Sequence, residues 1–320
     1  MTARRTAWFA ARPTPLELAS RPLRIGRLVF PPPVVIVLAA IGLTLLVTVG
    51  VLRWATPSDE HAYWLAARRL LDGVPLYDLS VSVGTPYAYW YPPPLAQVLA
   101  PLTAILGSMA FSWAWTLLLL ACLLFLADRR ILVAIALVAF LPVAVELWYR
   151  NVHLVLAAVI VMALRRHPAW WVVAAAIKVT PAIGLLYLLA ARRYRDVVIV
   201  GIAGLAVLAV SIAVSPAAWA QFLDLVRQQG GSSGASLVDV PFPVRLAAAA
   251  GLALAGGRIG GRRGEALLVT ALVVGNPTLW ATAFSLLIAI VPLWRRSAPD
   301  GAPRSAQAGS GPAGAARVMS

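Results

Sequence analysis

Apolar residues fill long stretches of this chain, and the polar residues that interrupt them fall in clusters. The stretch VVIVLAAIGLTLLVTVGVL, Val34 to Leu52, carries no charge and has about the length that crosses ~30 Å of hydrocarbon. Further apolar runs lie at residues 95–106, 109–127, 131–145, 152–164, 170–190, 197–214, 242–256 and 265–293. The last contains GNPTLW, residues 275–280, which predicts a split into two short helices. Two polar segments stand out. Residues 54–94 hold a helical pattern from Asp59 to Leu71, stopped by Gly73, and then the aromatic cluster Tyr87, Tyr89, Trp90 and Tyr91, suited to a membrane interface. Residues 215–247 hold an interfacial helix over Trp219 to Gln228, followed by a Gly/Ser run at 230–236 that is either a plain linker or a flexible cover.

Composition makes the pattern decisive. The chain is 320 residues long, 61% hydrophobic and 12% charged, with a mean hydropathy of +0.84. A soluble domain of that size needs more polar surface, so the reading is a polytopic integral membrane protein. The formal charge of +15 sits mostly on arginines in short loops and in the first 30 residues, which is the positive-inside pattern and not a nucleic-acid face. A single cysteine, Cys122, excludes an internal disulfide and a multi-cysteine metal site.

Residues 1–30 read as a cytoplasmic arginine-rich tail, 31–296 as a membrane-embedded domain and 297–320 as a low-complexity, disordered tail. Residues 54–94 and 215–247 then lie outside. Arginine pairs at 129–130, 165–166, 192–193, 262–263 and 295–296 all favour the cytoplasm, and simple alternation of full spans cannot put them all there. Short helices that turn back at mid-depth relieve the conflict, with Pro181 as one turning point. The expected fold is all-α, with about nine to eleven membrane segments, some short, around a polar cavity. No internal repeat is visible.

Within the apolar part the notable residue is Lys178, the single lysine among 27 lysines and arginines. A cation inside a span costs about 2.5–3.5 kcal/mol on insertion scales, so such residues face a cavity or a partner. Two readings are open: a phosphate partner, for which a compact ammonium is suited, or a structural pair with an acid such as Glu146. Asp59 and Tyr63 lie one turn apart on one helical face. Asp59 either complements the dipole of its helix or is a general base just outside the membrane, with Glu60 and Asp78 the next carboxylates in line.

Taken in order, these residues resemble glycosyltransferase family 87, of the GT-C superfamily. Four stretches carry the resemblance: Asp59, Tyr63, Gly73, Tyr77 and Asp78; Tyr91-Pro92-Pro93; Lys178 with Pro181; and Pro277 with Trp280. The resemblance implies a GT-C-like bundle with a large first extracytoplasmic loop. It also implies an inverting hexosyltransferase, a mannosyltransferase by family, that takes its sugar from a polyprenyl-phosphate donor and passes it to a glycolipid or glycan acceptor. Carried over residue by residue, Asp59 is the base and Lys178, assisted by Arg150 and His153, holds the donor phosphate. Tyr63, Tyr91, Asn151, Asn276 and Trp280 are the substrate-binding candidates. Because the leaving group is a monophosphate and no dense acid cluster is visible, no metal and no cofactor is expected. The sequence departs from the family pattern at two places: Arg150-Asn151-Val152-His153 stands for Gly-Gln-x-Asn, and Asn276 to Thr282 lacks the final histidine of Ser-Pro-x-Ser-Trp-x-His. A transporter or lipid flippase, and a non-catalytic family member, are the alternative readings. An ordinary polar hairpin tip is the alternative for Arg150 and His153.

Overall fold

The computed structural model describes residues 20–25, 28–53, 58–78, 80, 88–229 and 236–295. Tyr87, all but Ser236 of the Gly/Ser run, and the tail at 297–320 therefore lie outside the described residues. Apart from two three-residue strands, the described chain is all-helical. Those strands, β1 (Leu23–Ile25) and β2 (Leu28–Phe30), pair antiparallel with Leu23 opposite Phe30, where the sequence reading placed only a tail. Branched and aromatic residues favour extended backbone, and the three prolines at 31–33 defer the first helix.

Helix α1 (Pro33–Arg53) starts on the last of those prolines. The outer segment then forms α2 (Asp59–Leu71), closed as expected at Gly73, whose φ of +69° suits a residue without a side chain. Next come α3 (Pro93–Ile105), α4 (Ser108–Leu126), α5 (Ile131–Val138), α6 (Leu141–Tyr149), α7 (His153–Arg165) and α8 (Trp170–Ile177). A 3₁₀ turn at Thr180–Ile183 leads into α9 (Gly184–Ala190), then α10 (Tyr194–Val214) and α11 (Pro216–Gln229). Finally α12 (Phe242–Ile259) and α13 (Gly261–Val274) precede a 3₁₀ segment, Ala281–Ala289, and α14 (Ile290–Arg295).

Four of these helices, α1, α4, α10 and α12, are long and apolar enough to cross a membrane. A fifth span is available if α5 and α6, bent by 88° at their junction, count as one. Length and composition thus give four or five spans, short of the about nine to eleven segments expected, because several apolar runs are interrupted. The run at 170–190 is one of these. Lys178 is the last residue hydrogen-bonded into α8, its N–H on Ala174 O at 3.0 Å, and its own backbone is extended, at φ −151° and ψ 138°. Pro181, lacking an N–H, sits in the following 3₁₀ turn. The lysine therefore occupies a helix break and not the middle of a helix.

Helix α7 is the centre of the molecule. Its side chains are apolar nearly all round, and a helix of that kind must be enclosed. It is packed by α4, α8 and the 3₁₀ segment 281–289. By contrast α1 and α10 keep wide apolar faces exposed, as lipid-facing helices do.

Where helices come closest they do so over glycine, which allows the short backbone contacts that bind helices in an apolar solvent. At the crossing of α1 and α5, a Cβ built on Gly42 would lie 1.8 Å from Ile135 O. Gly42→Ala is therefore expected to force α1 away from α5 and cost roughly 1–3 kcal/mol, read as a lowered melting temperature in detergent. Gly50→Ala on the same helix, where nothing lies within 4 Å, is the control and should melt no lower than the parent. Equal losses at both sites would refute the close packing.

Candidate active site

Four segments converge beside the start of α7. Asp59 opens α2, and its carboxylate accepts a hydrogen bond from Asn151 Nδ2 in the turn between α6 and α7. Asn151 Oδ1 in turn accepts from Tyr91 O–H at 3.1 Å and from the Val152 N–H at 2.7 Å. Tyr91 is spoken for as a donor, so Tyr63 O–H donates to it, at 3.1 Å, and the two rings meet edge to face at 5.1 Å. Lys178 closes the group from the break after α8, its Nζ 5.8 Å from the centre of the Tyr91 ring.

A second chain of contacts runs behind Lys178. Glu146 Oε1 accepts the N–H groups of His153 (2.6 Å) and Leu154 (3.2 Å), the first free donors of α7. Its other oxygen, Oε2, lies 3.2 Å from His153 Nδ1. On the far side of the ring, Lys178 Nζ and Asn276 Nδ2 both stand 3.2 Å from His153 Nε2. An ammonium has only protons to offer, so Nε2 is the acceptor and the imidazole proton is on Nδ1, donated to Glu146. Glu146 and Lys178 make no direct ion pair; the histidine bridges them.

Arg150 points elsewhere. Its guanidinium pairs with Glu60 Oε1 at 2.6 Å, both side chains being buried, and Ser112 Oγ donates to the same oxygen at 2.8 Å. Its carbonyl accepts from Trp115 Nε1 at 2.9 Å. Glu60 is thus half of an ion pair joining α2 to the turn before α7. Asp78 is exposed and paired with Arg69 at 2.8 Å. Trp280 lies outside the network with 42% of its surface exposed, whereas Asn276 is inside it.

The outer segments are tied to one another. Gln221 Oε1, on α11, accepts the Leu76 N–H at 2.8 Å, and the ring of Phe222 lies tilted against that of Tyr77, 5.9 Å between centres. A cavity of about 180 Å³ runs along α2 from Ala62 and Ala66 to Arg69, with Tyr89 and Asp78 on its other wall. Among the described residues, no three His, Cys, Asp or Glu side chains group to hold a metal ion.

The profile of glycosyltransferase family 87 matches residues 89–310, more than half of the chain. The chain belongs to that family. No curated protein and no solved structure matches it. The matched stretch contains Tyr91, Arg150, Asn151, His153, Lys178, Asn276 and Trp280 and begins after Asp59 and Tyr63. Arg150, where the family pattern quoted above has glycine, is left-handed at φ +52°, ψ +44°. That backbone costs a side-chain-bearing residue about 1–2 kcal/mol, and the Glu60 and Trp115 contacts hold it there.

The sequence reading missed three residues that support this polar cluster. Glu146 entered only as a possible partner of Lys178, and its signal was an acid within an apolar run seven residues before His153. Glu60 gave no signal of its pairing with Arg150. Arg245, a lone arginine outside the five arginine pairs, is buried and grips three backbone carbonyls: Val240 at 3.0 Å, Asn276 at 2.5 Å and Pro277 at 2.7 Å.

Burial pushes the Asp59 carboxyl up from 3.8 to about 7, against the hydrogen bond from Asn151 that holds it down. The folded state therefore keeps a proton that the unfolded chain has lost, and stability falls as pH rises from 3.8 through about 7. Asp59→Asn cannot ionise. Its melting temperature is expected to match the parent at the acid end of that window and exceed it at the neutral end; a difference independent of pH would contradict the burial of this carboxyl.

Proposed function

We propose that this protein is an inverting hexosyltransferase of the cell membrane, with its site on the extracytoplasmic side. It moves a hexose, mannose by resemblance to its family, from a polyprenyl-phosphate donor to an envelope glycolipid or glycan. The observation that carries this reading is the meeting of Asp59 with Lys178 around Asn151 and Tyr91, a carboxylate bonded to the one and an ammonium beside the ring of the other. Among the described residues Lys178 makes no direct ion pair; Glu146 and Asp59 act on its charge from a distance, and a direct contact stays open to an anion.

In this mechanism Asp59 takes the proton of an acceptor hydroxyl. The oxygen attacks the anomeric carbon from the face opposite the phosphate, the bond to the phosphate oxygen breaks, and the polyprenyl phosphate leaves as an anion. Negative charge grows on that oxygen as the bond lengthens, so a fixed cation lowers the barrier more than it tightens ground-state binding. Lys178 supplies it, and His153, oriented by Glu146, holds the ammonium in place. Asn151 fixes the carboxylate and Tyr91 holds Asn151, and the groove that begins one turn along α2, at Ala62, is the place proposed for the acceptor. No step requires a metal or a cofactor.

For the membrane, residues 31–296 form the embedded domain, flanked by cytoplasmic tails. The four or five spans, with the four shorter apolar helices as partial crossings around the site, approach the expected number of segments.

Purified protein in lipid nanodiscs, given polyprenyl-phosphate-mannose and extracted membrane acceptors, is expected to add one hexose mass to an acceptor. Donor binding without transfer would point to a non-catalytic member, and donor movement across vesicles without bond formation to a flippase. Asp59→Asn should lower transfer by about 10²–10⁴-fold, with the parent's rate rising with pH up to about 7 and the variant showing no such limb. Lys178→Met should lower both donor affinity and turnover while the protein still melts cooperatively, and Lys178→Arg should restore part of each. Unchanged donor affinity in Lys178→Met would remove the lysine from the phosphate.

A further inference from the structure

A buried amide oxygen without a partner sits beside Lys178. Asn276 is only 1% exposed, and its Nδ2 is committed to His153 Nε2, yet its Oδ1 has no hydrogen bond among the described residues. The amide cannot simply be turned over. Lys178 already makes Nε2 of His153 an acceptor, so the NH₂ end must face the ring and the oxygen must face away. An unmatched buried acceptor is costly, and this one has no alternative partner among the described residues. Arg245 clamps the backbone carbonyls of Asn276 and Pro277 and so fixes the segment that carries this side chain. Asn276 lines a small cavity together with Lys178, Thr180, Leu156, Ile160 and Leu286. Its free volume, about 10 Å³, is that of one water-sized group.

One hydroxyl matches this cavity in size, and fits the Lys178 and Asn276 side of a lining that is otherwise mostly apolar. It can accept a proton from the Lys178 ammonium and donate its own to Asn276 Oδ1, which neither an apolar group nor a second anion can do. The proposed function, on which this step rests, gives the donor's phosphate to Lys178. Within the transferred sugar, the hydroxyl nearest that phosphate is the one on the carbon next to the anomeric carbon. We infer that Asn276 and Lys178 form the subsite that reads the 2-hydroxyl of the donor hexose, and that Arg245 is a positioning residue that aims Asn276 at it. The subsite then selects between sugars that differ only in configuration at that carbon. Because interactions with a 2-hydroxyl strengthen as the anomeric carbon gains positive charge, the selection falls on the rate more than on binding.

The test compares polyprenyl-phosphate hexose with its 2-deoxy analogue and its epimer at the same carbon. The protein is in nanodiscs, and binding of sugar-free polyprenyl phosphate is measured alongside. The parent is expected to prefer the 2-hydroxyl donor by about a hundredfold or more in kcat/KM, since a site built for a hydroxyl rejects the analogue that lacks it. Asn276→Leu, of similar size and without polar atoms, should bring the two donors within about threefold, and the binding of sugar-free polyprenyl phosphate shows separately what the change does to the phosphate end. The intrinsic reactivity of the 2-deoxy sugar cancels in that comparison of ratios. Arg245→Lys should lose several-fold of the discrimination, in kcat and not in KM, while the 2-deoxy donor reacts at the parental rate. Transfer with an undiminished ratio in Asn276→Leu would overturn the subsite and leave the hexosyltransferase standing. A parent indifferent to the 2-hydroxyl would do so as well, whether or not the variants fold, and would assign the cavity to a fixed water. A parent that neither binds polyprenyl phosphate nor transfers from any donor would overturn both.

Discussion

The central helix of this protein begins at a carboxylate. Glu146 accepts the first two N–H groups of α7 that have no partner within the helix, and it does so in a buried place where water cannot substitute. An anion at a helix N-terminus is favoured by the helix dipole as well as by these bonds. Because α7 is enclosed by α4, α8 and the 3₁₀ segment, the position of its first turn sets the position of everything packed on it. The same carboxylate fixes the tautomer of His153, and with it the acceptor that Lys178 and Asn276 share. One side chain thus fixes a helix end and orients a polar cluster.

The cluster follows from a general constraint. In an apolar surrounding each polar group must find its partner inside the protein, so polar side chains gather and arrange one another. Here they gather where helices stop: at the start of α2, between α6 and α7, after α8, and after α13. Helix ends bring unpaired backbone groups, and these need the same partners that a site needs. Arg150 illustrates the coupling. Its left-handed backbone lets the chain reverse between α6 and α7, and its side chain neutralises Glu60 beside Asp59. The reversal and the electrostatics of the carboxylate neighbourhood therefore depend on one residue.

Much of this was legible in the order of residues. The apolar run at 34–52, the amphipathic pattern from Asp59 to Leu71 with its glycine stop, and the break at GNPTLW each rest on local signals, and each appears where expected. Asp59, Tyr63, Tyr91, Asn151, His153, Lys178 and Asn276 come together, as a resemblance carried by spaced motifs implies they should. Local signals failed where tertiary partners decide. Nothing near Glu60 in sequence announces Arg150, and nothing near Arg245 announces the carbonyls of residues 276 and 277. A lysine within a long apolar run gives no hint that its own backbone is where the helix ends. The expected count, about nine to eleven segments, included short ones; length and composition show four or five full spans, because the chain breaks several apolar runs into pieces too short to cross alone.

The 88° corner between α5 and α6 bears on how such a chain enters a bilayer at all. With 8 and 9 residues the two helices rise only about 12–14 Å each, under half of a ~30 Å core, so neither can partition from the insertion machinery by itself. Both pack against α1, the first apolar helix of the described chain to be synthesised. α5 and α6 therefore enter as one bent unit supported by α1. Insertion of this region is a collective event, in which two helices too short to cross alone depend on one that is long enough.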